Sequence, residues 1–242
     1  MTAARGADKV ILFPTCLVDI VRPNVRDAAR RMLARLGFTV RSPRYAGCCG
    51  QPAWNAGYAS DARRVATRLL RRLAKTRGPI VVPSGSCAAM LRHHWPELFD
   101  ATRHAGAARG VAARTVELTS FCAERSQAPI SDGQRVAYHA SCHLVRTLGV
   151  REEPMRTLES HGYTVVEPID ADRCCGFGGT FAVKLPEISV AMGDEKLDTL
   201  VATGASTVAG CDLSCLAHLE ARAKRRELAL DFRHVAELCA DD

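Results

Sequence analysis

At 242 residues, 47% of them apolar and 5% aromatic, the chain can fill the core of one large domain or two small ones. Its net charge of +7 admits an anionic partner, but no nucleic-acid motif accompanies the basic residues, so nucleic-acid binding is not expected. The opening MTAARGADKV has no apolar signal core, and no apolar run approaches the roughly 20 residues that cross a bilayer, so a cytoplasmic protein without a transmembrane segment is expected.

Short apolar runs alternate with helix-like stretches. VILFP (Val10 to Pro14) reads as a strand that stops just before Cys16, and VRDAARRMLARLG reads as a helix ended by Gly37. FTVRSP forms the next strand and leads into Cys48-Cys49. In RRVATRLLRRLAKTR, Val65, Leu69, Leu70 and Leu73 recur at helical spacing, which predicts an amphipathic helix with a solvated basic face. Gly78-Pro79 breaks the chain, and IVVPSG makes a third strand that ends near Cys87. The polar segment Glu124 to Gln134, which holds Pro and Gly, reads as a linker between residues 1–123 and 135–242. Beyond it the pattern returns as RVAYHAS, YTVVEP and STVAG, with a helix start at Pro186-Glu187. Strand–helix alternation predicts an α/β fold of two pseudo-repeated halves, each a mostly parallel sheet flanked by helices. Loops that carry functional side chains then lie at the C-terminal ends of the strands.

Eleven cysteines are many for a chain expected in a reducing compartment, where thiols more often hold metal or react than form disulfides. Cys16, Cys48 and Cys49 reappear 126 residues later as Cys142, Cys174 and Cys175, and Cys87 reappears 128 residues later as Cys215. LGFTVRSP in the first half likewise matches HGYTVVEP in the second, so the chain carries an internal duplication. Two copies of C…CC…C at matched spacing point to a soft-metal site, and thiolate-rich ligation fits either zinc or iron–sulfur. Helix starts near these cysteines aim N–H groups at the thiolates, and Gly50 and Gly176 would let backbone approach a bulky inorganic group. Cys211 adds a fifth thiol near Cys215, either as a ligand or as a free reactive group. Cys122 and Cys239 have no counterpart under this offset and are expected to be small buried hydrophobes. His139 and His143 flank Cys142 and suit ligation, proton transfer or a hydrogen bond that holds the loop. Gly178 and Gly179 expose backbone donors that suit an anion, and Lys184 could add positive charge; the first half reads GQPAWNAGY there, so the halves are expected to differ in task.

PSGSC (Pro83 to Cys87), YHASCHLVR (Tyr138 to Arg146) and CCGFGGTFAVKLPEIS (Cys174 to Ser189) resemble the signatures of the cysteine-rich CCG domain family. That family includes components of heterodisulfide reductase and of anaerobic glycerol-3-phosphate dehydrogenase, and the likeness is greatest to its lactate utilization A branch. The family pattern is a cysteine, then CC, then CxxC, twice. Cys16, Cys48, Cys49 and Cys87 match it in one half, and Cys142, Cys174, Cys175 and Cys215 in the other. Ser84 and Asp212 stand where the first cysteine of each CxxC would be, which departs from the five-thiolate pattern. The resemblance implies two CCG halves and an iron–sulfur cluster, of 4Fe-4S type, in at least one of them, with zinc as an option in the other. It further implies an electron-transferring component of a complex that oxidises the small 2-hydroxy acid L-lactate to pyruvate. The partners implied are lactate utilization protein B-like and C-like subunits. Two other readings stay open: a cluster-dependent thiol–disulfide reductase using Cys211, and a zinc-bearing scaffold that docks through its basic face.

Overall fold

The computed structural model describes residues 9–43, 47–123, 125 and 130–240. Two four-stranded parallel sheets form its frame. The first holds β1 (Lys9–Leu12), β2 (Thr39–Arg41), β3 (Ile80–Val82) and β4 (Thr115–Glu117) in the order β2-β1-β3-β4. The second holds β5 (Arg135–His139), β6 (Thr164–Val166), β7 (Thr207–Gly210) and β8 (Asp231–His234) in the order β6-β5-β7-β8. The two-lobed α/β expectation is met, and each sheet gains a fourth strand that the periodicity did not announce. TVE and DFRH are too short and too polar to stand out as apolar runs.

In each sheet the order reverses beside the first strand, so β1 and β3 leave in opposite directions, as do β5 and β7. A crevice opens at the C-terminal ends of such a pair. Cys16 follows β1 and Cys87 follows β3, while Cys142 follows β5 and Cys215 follows β7. The CC pairs come from the loops after β2 and β6. Thiols far apart in sequence are thereby delivered to one edge of each sheet.

Strand alternation divides the core. Val10 and Leu12 of β1, with Val136 and Tyr138 of β5, enter one apolar core shared by both lobes, together with the helix Asn24–Arg35. Ile11 and Phe13 face the opposite way, into an outer core beneath the helix Ala59–Leu73, and Ala137 does the same in the second lobe. That helix buries Ala62, Ala66, Leu69, Leu70 and Leu73, each leucine stabilising the fold by roughly 1.5–3 kcal/mol. Val65, expected on the apolar stripe, is instead exposed, because the small Ala62 and Ala66 form the contact face.

Polar contacts tie the lobes. Arg22 pairs with Glu220 at 2.6 Å and donates to the carbonyl of Phe232 at 2.6 Å, and His234 Nε2 meets the carbonyl of Pro83 at 3.1 Å. The predicted linker 124–134 lies partly outside the described residues, at 124 and 126–129. Among the described residues, no helix is long and apolar enough to cross a membrane.

β4 and β8 also reveal a further repeat. Glu117 and His234 end these strands and accept N–H bonds from the short helices that follow, and Cys122 and Cys239 come five residues later in each. The two cysteines are therefore equivalents 117 residues apart, and the changed offset hid the match. Both thiols are buried, and Cys122 is pushed up to about 12, chiefly by burial.

Candidate metal centres

The eight repeated cysteines line a single cavity of about 330 Å³ between the lobes. Among the described residues, which include all eleven cysteines, no disulfide forms. The two sets match in burial: Cys16, Cys48, Cys142 and Cys174 are partly exposed, while Cys49, Cys87, Cys175 and Cys215 are buried.

Within each set the sulfurs touch in series. Cys49 Sγ lies 3.3 Å from Cys87 Sγ. The Cys48 thiol is lowered to about 3, first by hydrogen bonding from Cys16, then from Cys49, with the Gly50 N–H adding to it at 3.4 Å. Cys174 is lowered to about 2 by the same arrangement with Cys142, Cys175 and the Gly176 N–H, also at 3.4 Å. The donating thiols move the other way. Cys16 and Cys142 are raised first by those bonds and then by burial, and so are the enclosed Cys49 and Cys175. Cys48 and Cys174 are thus favoured as thiolates ahead of the thiols that donate to them, and a bound cation would favour further ionisation. Four soft donors, held together and facing a cavity, are what a thiolate-bound iron–sulfur cluster or zinc ion requires. The residues present fit such a group.

The loops are held by their own lobes. The Trp95 indole N–H donates to the Cys49 carbonyl at 2.9 Å, and the Ser189 hydroxyl donates to the Gly176 carbonyl at 2.8 Å. Buried Lys196 donates to the Ala171 carbonyl at 2.9 Å, bracing the turn before Cys174-Cys175. Its ammonium is lowered to about 8 by burial. Gly50 and Gly176 have φ of 91° and 85°, and a Cβ there would lie 2.7 Å from the Ala62 carbonyl oxygen and 2.5 Å from that of Ser189. The turn running against a helix backbone is reason enough for glycine at both positions.

Ser84 and Asp212, the two departures from CxxC, meet across the lobes. Asp212 Oδ2 accepts from the Ser86 N–H at 2.7 Å and from the Ser84 hydroxyl at 3.3 Å, while Oδ1 accepts from the Ser214 hydroxyl at 2.7 Å. Both residues line the cavity. Positions that would carry a fifth thiol in each lobe thus form a polar tie.

Cys211 is not in the cavity lining. Its thiol is fully buried in the shared core, 3.9 Å from the Tyr138 hydroxyl, and burial raises it well above the usual thiol range. Cys211 directly follows β7 and continues its alternation, so its side chain joins Ala209 in the shared core. Gly178 and Gly179 do line the cavity. Lys184 is exposed outside the lining, its Nζ 4.9 Å from the ring centre of Tyr58 and 3.2 Å from its hydroxyl. His143 lines the cavity with Nδ1 3.6 Å from Cys142 Sγ. His139 lies buried beside Cys175 and Cys215. The cavity also draws in Gln51, Pro52 and Asn55, which the cysteine pattern alone did not single out.

The chain is similar to known proteins over both lobes. The cysteine-rich domain family CCG matches twice, at residues 10–92 and 136–220. Lactate utilization protein A of Bacillus subtilis is 40% identical over 236 residues, covering 95% of this chain and 98% of that protein. Its namesake from an Exiguobacterium species is 38% identical over 235 residues, covering 95% and 96%. Lactate utilization protein A 2 of Bacillus cereus is 37% identical over 238 residues, covering 96% and 98%.

Proposed function

Because this chain belongs to the cysteine-rich CCG domain family, we propose that it is the iron–sulfur redox component of a complex that oxidises L-lactate to pyruvate. The observation that carries this reading is the convergence of two four-thiol sets on one cavity. Cys16, Cys48, Cys49 and Cys87 would hold one centre, and Cys142, Cys174, Cys175 and Cys215 the other. A bound iron–sulfur centre supplies electron transfer. The chain's own part is to gather the thiols, keep Cys48 and Cys174 ionised ahead of their neighbours, and brace the loops through Trp95, Ser189 and Lys196.

Lactate oxidation is carried to this chain from the names of its relatives. The cavity is roomier than a three-carbon acid needs, and the N–H groups of Gly178 and Gly179 suit a carboxylate. Lactate releases two electrons, so lactate utilization B-like and C-like subunits would complete the chain of carriers. The cytoplasm is the compartment in which such thiols stay reduced.

One observation favours zinc as the second reading. The 3.3 Å between Cys49 and Cys87 sulfurs approaches the about 3.8 Å that two thiolates adopt on one tetrahedral ion. Iron, zinc and acid-labile sulfide measured on anaerobically purified protein, with electron paramagnetic resonance in oxidised and reduced states, decide between these. Iron with sulfide and a signal is the expected result. Zinc alone would replace the redox reading with that of a metal-stabilised scaffold, and protein free of any metal would end both.

A further inference from the structure

His139 ends β5 next to the second thiol set, and only 1% of its surface is exposed. Neither ring nitrogen has a hydrogen-bond partner. An imidazole left this way is destabilising relative to a paired one, a penalty that a fold does not ordinarily keep without a ligand to offset it. One ring nitrogen of His139 and the sulfurs of Cys175 and Cys215 all lie within 4.8 Å of one another. This is the spacing of donors that can close on one metal atom.

The first lobe provides an internal control. The residue 126 positions earlier is Phe13, which packs in the outer core with Cys49 and Cys87. The same pair of buried sulfurs therefore adjoins a phenyl ring in one lobe and an imidazole in the other. A phenyl ring can only fill space; an imidazole can also ligate iron or zinc.

We propose that His139 is a nitrogen ligand of the second lobe's metal centre, beside Cys175 and Cys215, so that this centre has mixed sulfur–nitrogen ligation and the first is held by sulfur alone. The inference rests on the reading that the second thiol set holds metal. Imidazole adds a donor without adding negative charge, so the two centres differ in ligand set and are expected to differ in redox character.

The test is X-ray absorption at the metal edge on full-length, anaerobically purified protein, comparing the wild type with His139→Phe and His139→Leu. Circular dichroism on each sample verifies folding. Phe is the first lobe's own residue at this position, and Leu is a smaller replacement in case the ring overpacks. Expected is an imidazole scattering pattern at about 2.0–2.1 Å in the wild type that disappears in both variants. Chelator should also strip part of the variants' metal at concentrations at least about tenfold lower. Imidazole scattering that persists in a folded variant would assign the nitrogen to another histidine and overturn the proposal, as would its absence from metal-bearing wild type. Wild type without any metal would overturn both the proposal and the reading beneath it, so the two failures are told apart.

Discussion

The two lobes share a frame and differ in what fills it. In each, a switch in strand order opens a crevice, and four thiols from three loops enter it, the first of the CC pair lowered by hydrogen bonds from its neighbours. Around that frame the side chains diverge. Phe13 corresponds to His139, Glu117 to His234, and Gln51-Pro52-Ala53 to Phe177-Gly178-Gly179. The frame is set by backbone requirements such as parallel pairing and the positive φ of Gly50 and Gly176. The task is set by the residues that touch the sulfurs, and those are the ones that part company.

The comparison can be tested by emptying one lobe at a time, which carries the largest expected effect. Replacing Cys48 and Cys49 together by Ser, or Cys174 and Cys175 together, should each remove about half the bound metal and leave the other half in place. Loss of all metal from either pair would show that the lobes load as one unit. Next in size is the tie between them. Asp212→Ala leaves the Ser86 N–H without its acceptor, and denaturant unfolding should report a loss of about 2–4 kcal/mol. A similar loss, about 2 kcal/mol or more, is expected from Gly50→Ala and from Gly176→Ala, since both meet a helix carbonyl at a positive φ. If one lobe tolerates the change, the frames are less alike than their matched turns imply.

A pH dependence separates Glu117 from its counterpart His234. Burial raises the Glu117 carboxyl to about 7, against hydrogen bonds from Thr119 and Ser120 that lower it. The folded protein therefore binds this proton more tightly than the unfolded chain does. The resulting stability is fully present below the ordinary value near 4.5 and is lost as pH rises to about 7, by up to about 3 kcal/mol. Glu117→Gln should flatten that slope in unfolding curves measured from about pH 4 to 8. The smallest change expected is Lys184→Ala, which gives up a contact with an exposed Tyr58 ring worth about 0.5–1 kcal/mol and leaves metal content unaltered.

Much of this was legible in the sequence because it is written in spacing. The three strongest strands of each sheet, the helix Pro186–Val201 and the internal repeat follow from apolar runs, breakers and recurring cysteines. Polar, three- or four-residue strands such as β4 left no such trace, and with them went the equivalence of Cys122 and Cys239. Spacing also could not say which way a side chain turns. Cys211 and Asp212 are neighbours, yet one faces the shared core and the other the cavity. Nor could it foresee that both thiol sets would open onto one space, since that depends on how the lobes dock. Ser84 and Asp212 are the clearest case, because each reads as the loss of a cysteine until its partner in the other lobe comes into view.

The tie at Asp212 also bears on how the molecule can move. A carboxylate only 3% exposed is anchored to both lobes, and nearby a Cβ on Gly85 would come within 2.8 Å of Leu144 across the same boundary. Parting the lobes would break the bonds from Ser86 and Ser84 to Asp212, so a hinged, jaw-like cycle is disfavoured here. The cavity rim, where Val183 stands 81% bare to solvent, then offers the way to the sulfurs without any parting of the lobes.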